Sequence, residues 1–278
     1  MASLSTPRRV YTAVELDDAG AAAVRWADSF ASALGVDHVV AAAFENPSSE
    51  KPPGAEDEFL DQAGERLDAW LADLGVRPTR SVALEPDLEH HLVKAAKSDD
   101  VVVVGGHHHE GATKWAIGSE PHELAKELDG VLVLVPTGPT ANADAPVLVG
   151  LDGTKANRIV AEWSTTVAAG LGRPVTGLFA TDPMYDTFDN AGNYGKEEVR
   201  ARAEADEAEI SIIEKQGPPD GALRSAAGEL DAYLTVVGAR EHHSFGGMVL
   251  GKVVDHLIHE SAGPLAILTH DYLESHLD

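Results

Sequence analysis

An internal repeat constrains the fold of this chain more than any other feature of its sequence. Pro219 lies 133 positions after Pro86, and at this shift PDLEHHLVKAAKSDDVVVVGG aligns with PDGALRSAAGELDAYLTVVGA without a gap. The same shift places Gly118 over Gly251. Self-similarity over such a distance is typical of a duplicated folding unit. The sequence therefore predicts two tandem copies of one domain.

Each copy alternates strand patterns with helix patterns. Continuous apolar runs such as residues 101–104 and 131–135 are typical of parallel strands that are buried on both faces. Five such strands joined by helical crossovers predict an α/β fold: two tandem doubly wound domains, each a five-stranded parallel sheet with helices on both faces. The Pro-, Gly- and Ala-rich segment Pro136–Pro146 predicts a linker, which gives domains at 1–138 and 144–278.

The helical patterns and the last strands complete the predicted architecture. The predicted helices are Ala19–Leu34, Glu56–Leu74, Asp87–Lys97, Gly118–Leu128, Lys155–Gly170, Gly195 to about Ala208, one from Asp220 and one from Lys252. The last strands of the two copies, Val131–Val135 and Leu265–Thr269, each leave a sheet edge that needs a partner. We expect these two strands to lie edge to edge within one chain. The sequence does not decide whether two chains also form a homodimer.

The chain is strongly acidic and contains no cysteine. It has 46 Asp and Glu against 21 Lys and Arg, a formal net charge of −25, which disfavours nucleic acid and anionic membranes as partners. A hydrophobic content of 44% argues against disorder, so we interpret the charge as adaptation to strong salt and expect loss of structure in dilute buffer. Without a signal peptide or a long apolar segment, the expected location is the cytoplasm.

An acidic residue ends the first strand of each copy. These residues are Glu15 and Asp152, and ligands of doubly wound sheets bind at this carboxyl edge, where the strand order reverses. A carboxylate at this place can accept hydrogen bonds from a ribose hydroxyl. The alternative is a local role as the N-cap of the following helix, a role for which Thr154 also competes.

Two glycines enclose the segment after the fourth strand of each copy. Gly105 and Gly118 are 13 positions apart, as are Gly238 and Gly251. A glycine at a strand end can leave backbone N–H groups facing a phosphate, and a small residue at a helix start leaves the positive helix end open to an anion. The repeated spacing predicts an anion-binding edge in each copy, although duplication alone would also preserve it.

The order of elements and three segments resemble the universal stress protein family. The segments are VLVGLDGTKA, DAYLTVVGARE and VLGKVVDHLIHESAGPLAILT, and the resemblance covers nearly the whole chain, twice. It implies an adenine nucleotide alpha hydrolase-like fold and a phosphate motif, Gly-x2-Gly-x9-Gly-[Ser/Thr], after an Asp that ends the first strand. It also implies ATP or AMP at this edge, and pairing of two domains through their last strands.

The first copy departs from the family motif at two positions. It has Gly105, then His108 in place of the second glycine, then Gly118 and Ser119. Its acid, Glu15, is one methylene longer than the expected Asp. The resemblance implies that this copy keeps the better phosphate end, with His108 as a phosphate contact, and that it is the better candidate for residual adenine nucleotide binding.

The second copy departs from the motif at two other positions. It keeps Asp152, Gly238 and Gly251, but has Glu241 at the second glycine and Lys252 at the Ser or Thr position. A carboxylate at Glu241 repels a phosphate, and strong salt weakens that repulsion without removing it. Lys252 offsets part of it as a cation. This copy therefore keeps the better ribose end, and we expect weak or lost ATP binding there.

Histidines cluster after the fourth strands, at His107–His109 and His242–His243. Imidazole and carboxylate groups can bind zinc, nickel or copper, but no closed ligand set is evident, so no metal site is predicted. His256 and His259 share a helix face at a spacing of three. His122 is expected at a solvent-facing helix position.

No catalytic constellation is evident in the sequence. It lacks a Gly-x-Ser-x-Gly elbow, a Gly-Lys-[Ser/Thr] loop and a nucleophile–base set, so we expect no enzyme, or at most slow ATP hydrolysis. The predicted function is a stress-response or regulatory protein with weak adenine nucleotide binding. The alternatives are a nucleotide-independent dimerising or partner-binding module, a His-based metal-binding protein, and an adenylyl-transfer or related α/β enzyme.

Overall fold

The structure is a computed structural model of the chain. It describes residues 6–45, 55–109, 112–115, 121–138, 142, 144–181, 210–239, 241–244, 247–261 and 263–277. The predicted helix from Gly195 to about Ala208 lies outside these described residues. None of the described helices is both long enough and apolar enough to cross a membrane.

Strands and helices alternate along both halves of the described chain. The strands are β1 Arg9–Val14, β2 Asp37–Ala43, β3 Arg80–Leu84, β4 Asp100–His109, β5 Ala112–Trp115, β6 Val131–Pro136, β7 Val147–Leu151, β8 Val175–Thr181, β9 Ile210–Gln216, β10 Leu234–Gly238, β11 Glu241–Ser244, β12 Gly247–Leu250 and β13 Leu265–Leu268. The helices are α1 Asp18–Leu34, α2 Ala55–Asp73, α3 Leu88–Ala95, α4 Pro121–Glu127, α5 Lys155–Leu171, α6 Pro219–Glu229, α7 Lys252–Glu260 and α8 His270–Ser275.

One sheet runs through the molecule in the order β3-β2-β1-β4-β6-β13-β10-β7-β8-β9, with β5 added to β4. Apart from β5, which is antiparallel to β4, neighbouring strands of this sheet are parallel within each half, and they follow the same order in both. The halves join where β6 and β13 run antiparallel, with Leu134 opposite Leu265 and Val131 opposite Leu268. The predicted doubly wound α/β fold is confirmed. The two five-stranded sets form one continuous sheet, because each last strand covers the edge of the other.

Alternate side chains of the central strands fill two core layers, as the two-residue period of a strand requires. In β6, Val131, Val133 and Val135 belong to one layer, which α1 and α5 cover. Leu132 and Leu134 belong to the other, which α3, α4, α6 and α7 cover. Both layers contain buried residues from both halves. The apolar core therefore crosses the β6–β13 junction without a break.

The first helix of each half ends at a matching glycine. Gly35 after α1 has φ 67° and Gly172 after α5 has φ 64°, a left-handed conformation that favours glycine. At the other end of α1, the side chain of Asp17 accepts a hydrogen bond from the N–H of Gly20 at 2.8 Å. Local signals therefore set both ends of α1 and fix its length against the sheet.

The segments after the fourth strands contain hairpins, which no sequence pattern predicted. β4 continues to His109 and pairs with β5, placing His108 opposite Thr113. In the second half β11 pairs with β12, placing Glu241 opposite Leu250. Antiparallel pairing satisfies backbone N–H and C=O groups that an open loop would leave to solvent or ligand. In addition, β5 lies against α7 and β12 against α4, so each hairpin contacts a helix of the other half.

A C-terminal helix, α8, follows the last strand and was missed by the sequence patterns. Thr269 is its N-cap, with a hydroxyl that accepts from the N–H of Tyr272 at 3.4 Å. The same hydroxyl donates to the carbonyl oxygen of Gly130 at 2.9 Å, which ties the start of α8 to the first half. Tyr272 and Leu273 are buried, and burial raises the pKa of Tyr272 well above its ordinary range.

His38 is a buried histidine of β2 with polar contacts on three sides. Its Nε2 lies 2.9 Å from Oγ1 of Thr12 and its Nδ1 lies 3.4 Å from Oδ1 of Asp28. Its backbone N–H donates to Oγ1 of Thr79 at 3.1 Å. Burial lowers the pKa of His38 below its ordinary value of 6.5, and Asp28 offsets part of that effect. The folded chain therefore binds fewer protons at this site than the unfolded chain.

We expect His38 to make the stability of the chain depend on pH. Its contribution is complete above about pH 6.5, where both states are neutral, and is lost as the pH falls through the lowered pKa of the folded state. His38→Gln cannot ionise, so it should flatten the plot of unfolding free energy against pH between about pH 7 and pH 5. Urea denaturation at each pH measures this. The exposed His90→Gln is the control, and an equal slope in all three proteins would contradict the prediction.

Candidate functional site

The point where strand order reverses lies between β7 and β10 in the second half. These strands are parallel neighbours, with Val149 opposite Val236. The equivalent point in the first half lies between β1 and β4, with Ala13 opposite Val104. Doubly wound sheets bind ligands in the crevice outside the carboxyl ends of such strands. These two crevices are therefore the candidate binding sites.

Asp152 follows β7 at the second-half crevice, with its side chain exposed. Its Oδ1 accepts hydrogen bonds from the backbone N–H and from the hydroxyl of Thr154, at 2.9 and 2.7 Å. Asn157 closes the turn from the other side, because its Oδ1 accepts from the N–H groups of Asp152 and Gly153 at 2.9 and 3.0 Å. Asp152 therefore shapes the turn between β7 and α5, and its carboxylate stays at the crevice.

Glu15 occupies the matching place after β1 and is also exposed. The N-cap of the first helix is not this acid but the residue two positions later, Asp17 in the first half and Thr154 in the second. The turn is tight, because a Cβ at Gly20 would overlap the carbonyl oxygen of Glu15. The interpretation of Glu15 and Asp152 as N-caps is therefore wrong, and both carboxylates lie at a crevice edge.

Gly105 of β4 and Gly238 of β10, the first glycines of the two phosphate motifs, pack closely against helices. A Cβ at Gly105 would overlap the carbonyl oxygen of Ala19 in α1 and would lie 2.7 Å from the carbonyl carbon. A Cβ at Gly238 would lie 2.9 Å from Val160 in α5 and 3.2 Å from Leu273 in α8. Helix–sheet packing alone therefore requires a glycine at Gly105, whether or not a phosphate binds beside it.

The start of α7 is a helix end suited to an anion. Gly251 is its N-cap and provides no side-chain capping hydrogen bond. The first N–H groups of a helix have no intrahelical acceptors, and the helix dipole adds partial positive charge there. Lys252, the first residue of α7, is exposed and adds a cation. The structure thus places Gly251 and Lys252 at a helix start, where an anion is electrostatically favoured.

The phosphate motif of the first half is described only in part. Gly105 lies at the crevice, on the strand next to the one that Glu15 follows. His108 lies in the β4–β5 hairpin. Gly118 and Ser119 lie outside the described residues. The structure therefore brings the acid and the first glycine of the motif to neighbouring strand ends, and it places His108 beyond them in the hairpin.

The structure corrects the expected placement of His122. Its side chain was expected to face solvent, but it is only 13% exposed, and its Nε2 lies 2.6 Å from Oδ1 of Asp255 in the other half. The ring of His259 is next to it, with ring centroids 5.1 Å apart. His256 makes a separate contact, with its Nδ1 2.9 Å from Oδ2 of Asp220. The first of these clusters joins α4 to α7, and no sequence pattern indicated it.

Fold and crevices together define a doubly wound α/β protein built from two similar halves. Residues 145–269 match the family model described as the universal stress protein family. This match lies within the second half of the chain. No curated protein matched the chain.

Solved structures share this architecture over nearly the whole chain. A universal stress protein from Archaeoglobus fulgidus DSM 4304 is 18% identical with a TM-score of 0.72, covering 95% of this chain and 98% of its own. A functionally unknown protein from Pseudomonas aeruginosa PAO1 is 14% identical with a TM-score of 0.61, covering 98% and 95%. At these identities the likeness establishes the fold alone. A universal stress protein in complex with cAMP is 26% identical over 46% of this chain and 98% of its own, with a TM-score of 0.39.

Proposed function

We propose that this chain is a stress-response or regulatory protein of the universal stress protein type, built from two copies of one domain at 1–138 and 144–278. The family domain at 145–269 supports the assignment for the second half. The first half has the same strand order, and its first helix starts three residues after the acid, as in the second half, which supports a common origin. The proposed protein is not an enzyme, since its sequence offers neither a nucleophile elbow nor a Gly-Lys-[Ser/Thr] loop.

We also propose that the crevices bind adenine nucleotides, ATP or AMP, weakly. Two observations carry this proposal: Asp152 has an exposed carboxylate after β7, and α7 starts at Gly251 and Lys252 with no capping side chain among the described residues. A ribose hydroxyl can donate to the carboxylate, and a phosphate can accept from the first N–H groups of α7. Binding is weak for two reasons. Thr154 already donates two hydrogen bonds to the carboxylate of Asp152, and the net charge of −25 on the chain repels phosphate.

For the first half, nucleotide binding is proposed from the sequence motif and from the position of Glu15 and Gly105 on neighbouring strands. Gly118 and Ser119 complete the phosphate end of that motif, with His108 as an added contact. A longer acid at Glu15 reaches further from the strand end than Asp152 does. The first half is therefore proposed to hold the phosphate of a nucleotide better, and the second half its ribose.

A second candidate function is a nucleotide-independent pairing module. The observation that favours it is the reciprocal contact of the hairpins, in which β5 lies against α7 and β12 lies against α4. Segments that carry phosphate-motif positions are thereby placed in contacts between the halves. In this function the crevices would no longer bind a nucleotide, and the two joined halves would present a surface to a partner protein.

Nucleotide binding is tested on the chain purified in strong KCl, first by denaturing it and identifying any released nucleotide by mass. Isothermal titration with AMP and with ATP is then expected to give a Kd between about 10 μM and 1 mM. Asp152→Asn and Lys252→Ala should each weaken second-half binding by about tenfold, the effect of one charge-assisted hydrogen bond. Ser119→Trp should abolish first-half binding by filling the phosphate position.

Lys94→Ala is the matched control for Lys252→Ala. Lys94 is exposed in the last turn of α3, at a helix end whose dipole disfavours anions, so its loss removes the same charge without touching the proposed site. Equal weakening by both variants would reveal a general charge effect. A purified chain that carries no nucleotide and gives no heat with either ligand would leave the pairing module as the function.

A further inference from the structure

We propose a metal site at the junction of the two halves, formed by His122 of α4 and by Asp255 and His259 of α7. One ligand atom from each of these three side chains lies within 4.8 Å of the other two. The ligand is a divalent transition metal of the Zn²⁺ class, held by two imidazoles and one carboxylate. The ion connects a helix of the first half to a helix of the second.

Two helices bring the three donors together. Asp255 and His259 are four positions apart on α7, so the helix places both side chains on one face. His122 reaches this face from α4, with its Nε2 2.6 Å from Oδ1 of Asp255. The rings of His122 and His259 lie at an interplanar angle of 37° with centroids 5.1 Å apart. The donors therefore approach one point from opposite sides of the junction.

One side of the cluster is buried and the other side is accessible to solvent, as a metal site that also binds water requires. His122 is 13% exposed, and among the described residues its Nδ1 finds no hydrogen-bond partner, so the polar contact of the ring is made at Nε2. Asp255 is 46% exposed and His259 is exposed, so an ion and a water ligand can reach them from solvent. Zinc sites with three protein ligands keep a fourth position for such a water.

The donor atoms, which all lie within 4.8 Å of one another, must shift to hold zinc. Zinc holds nitrogen and oxygen ligands at about 2.0–2.2 Å, which places neighbouring donor atoms roughly 3.3 Å apart in a tetrahedron. The separation of 2.6 Å between His122 and Asp255 must therefore open by about 0.7 Å, which rotation of the partly exposed Asp255 can supply. A metal at Nε2 leaves the ring proton at Nδ1 without an acceptor among the described residues, which lowers affinity by about 10–100-fold. We thus expect micromolar affinity.

The repeat explains why the site forms once. His122 and Asp255 are 133 positions apart, the repeat shift, so they hold equivalent places on equivalent helices and meet where those helices meet. Two aspartates at these positions would repel each other, whereas the imidazole of His122 and the carboxylate of Asp255 can form a hydrogen bond. The position in the first copy that corresponds to His259 is Lys126, whose ammonium group has no lone pair for a metal. The expected stoichiometry is therefore one ion per chain.

Zn²⁺ binding by the full chain is measured in strong KCl, which screens weak binding to the acidic surface. Equilibrium dialysis is expected to give one saturable Zn²⁺ per chain. Co²⁺ in its place is expected to show the intense visible absorption of a tetrahedral site. Because the ion binds the folded chain, Zn²⁺ at about 100 times its Kd should raise the Tm by roughly 5–10 °C. The measurement needs no nucleotide, so its outcome is separate from that of the proposed function.

Variants assign the ion to the junction. His259→Gln, at an exposed position, and Asp255→Asn should each weaken Zn²⁺ binding by more than about 100-fold and remove the rise in Tm. His256→Gln should retain both, because His256 follows Asp255 on α7 but contacts Asp220 instead. A variant with all three of His107–His109 changed to Gln should also retain both. Loss of the ion in that last variant, its retention in His259→Gln, or no saturable binding to the unaltered chain would each overturn the proposal.

Discussion

Leu134→Asp is expected to abolish the folded state of the whole chain. Leu134 is fully buried in β6, opposite Leu265 of β13, at the junction of the two halves. A carboxylate there would be buried without a partner, at a cost of several kcal/mol, while the total stability of a domain is about 5–15 kcal/mol. Because both core layers cross this junction, we expect the two halves to unfold together.

Two tryptophans allow the halves to be followed separately in this experiment. Trp26 is buried on α1 and Trp163 on α5, so variants that keep one of these two, with the other three of the four tryptophans changed to Phe, report on one helix each by fluorescence during urea denaturation. Leu134→Met keeps the volume of the side chain and should lose less than about 1.5 kcal/mol. A native-like Trp163 signal in Leu134→Asp would show that the second half folds without the junction.

The sequence predicted the central elements closely because their burial follows from local patterns. The helix expected at Ala19–Leu34 is Asp18–Leu34, and the one expected at Lys155–Gly170 is Lys155–Leu171. Parallel strands that are buried on both faces leave continuous apolar runs, and the runs in β4 and β6 are of this kind. Edge pairing of β6 with β13 followed from the same physics, because an apolar strand at a sheet edge needs a cover.

Elements stabilised by distant contacts were missed. The segment from His107 through Trp115 has no apolar alternation, yet it forms the β4–β5 hairpin, whose second strand lies against α7 of the other half. The residues of this segment alone do not indicate that α7 will pack against it. In contrast, α8 had a local signal in Thr269, a good N-cap residue followed by Asp271 in the first turn. The α8 sequence could therefore have been recognised, whereas the hairpin could not.

The candidate site shows the same division between local and distant information. The acids after the first strands were placed correctly at the strand ends, since their position depends on the local turn. The contact of His122 with Asp255 depends on how the two copies pack, which neither helix encodes alone. The repeat shift holds that information, because equivalent positions can meet wherever two copies pair. Comparing residues at that shift is the step that would have found the cluster.

Gly105→Ala is expected to destabilise the chain in the absence of any ligand. The added Cβ would overlap the carbonyl oxygen of Ala19 and lie 3.2 Å from the side chain of Ala23. Because the obstacle is the backbone of α1, the helix itself must move away from the sheet, and overpacking of this kind costs about 1–3 kcal/mol. Gly238→Ala should cost less, since the atoms in its way belong to the side chains of Val160 and Leu273.

Gly64→Ala is the matched control, because a Cβ at Gly64 of α2 meets no heavy atom within 4 Å. Alanine also favours a helix interior, so this variant should gain about 0.5–1 kcal/mol. Urea denaturation measures all three variants, and titration with AMP measures their ligand affinity. If Gly105 served only to expose an N–H group to phosphate, Gly105→Ala would keep the stability of the unaltered chain and lose nucleotide alone. Lost stability with unchanged affinity would mean that this motif glycine is required by the contact between α1 and the sheet.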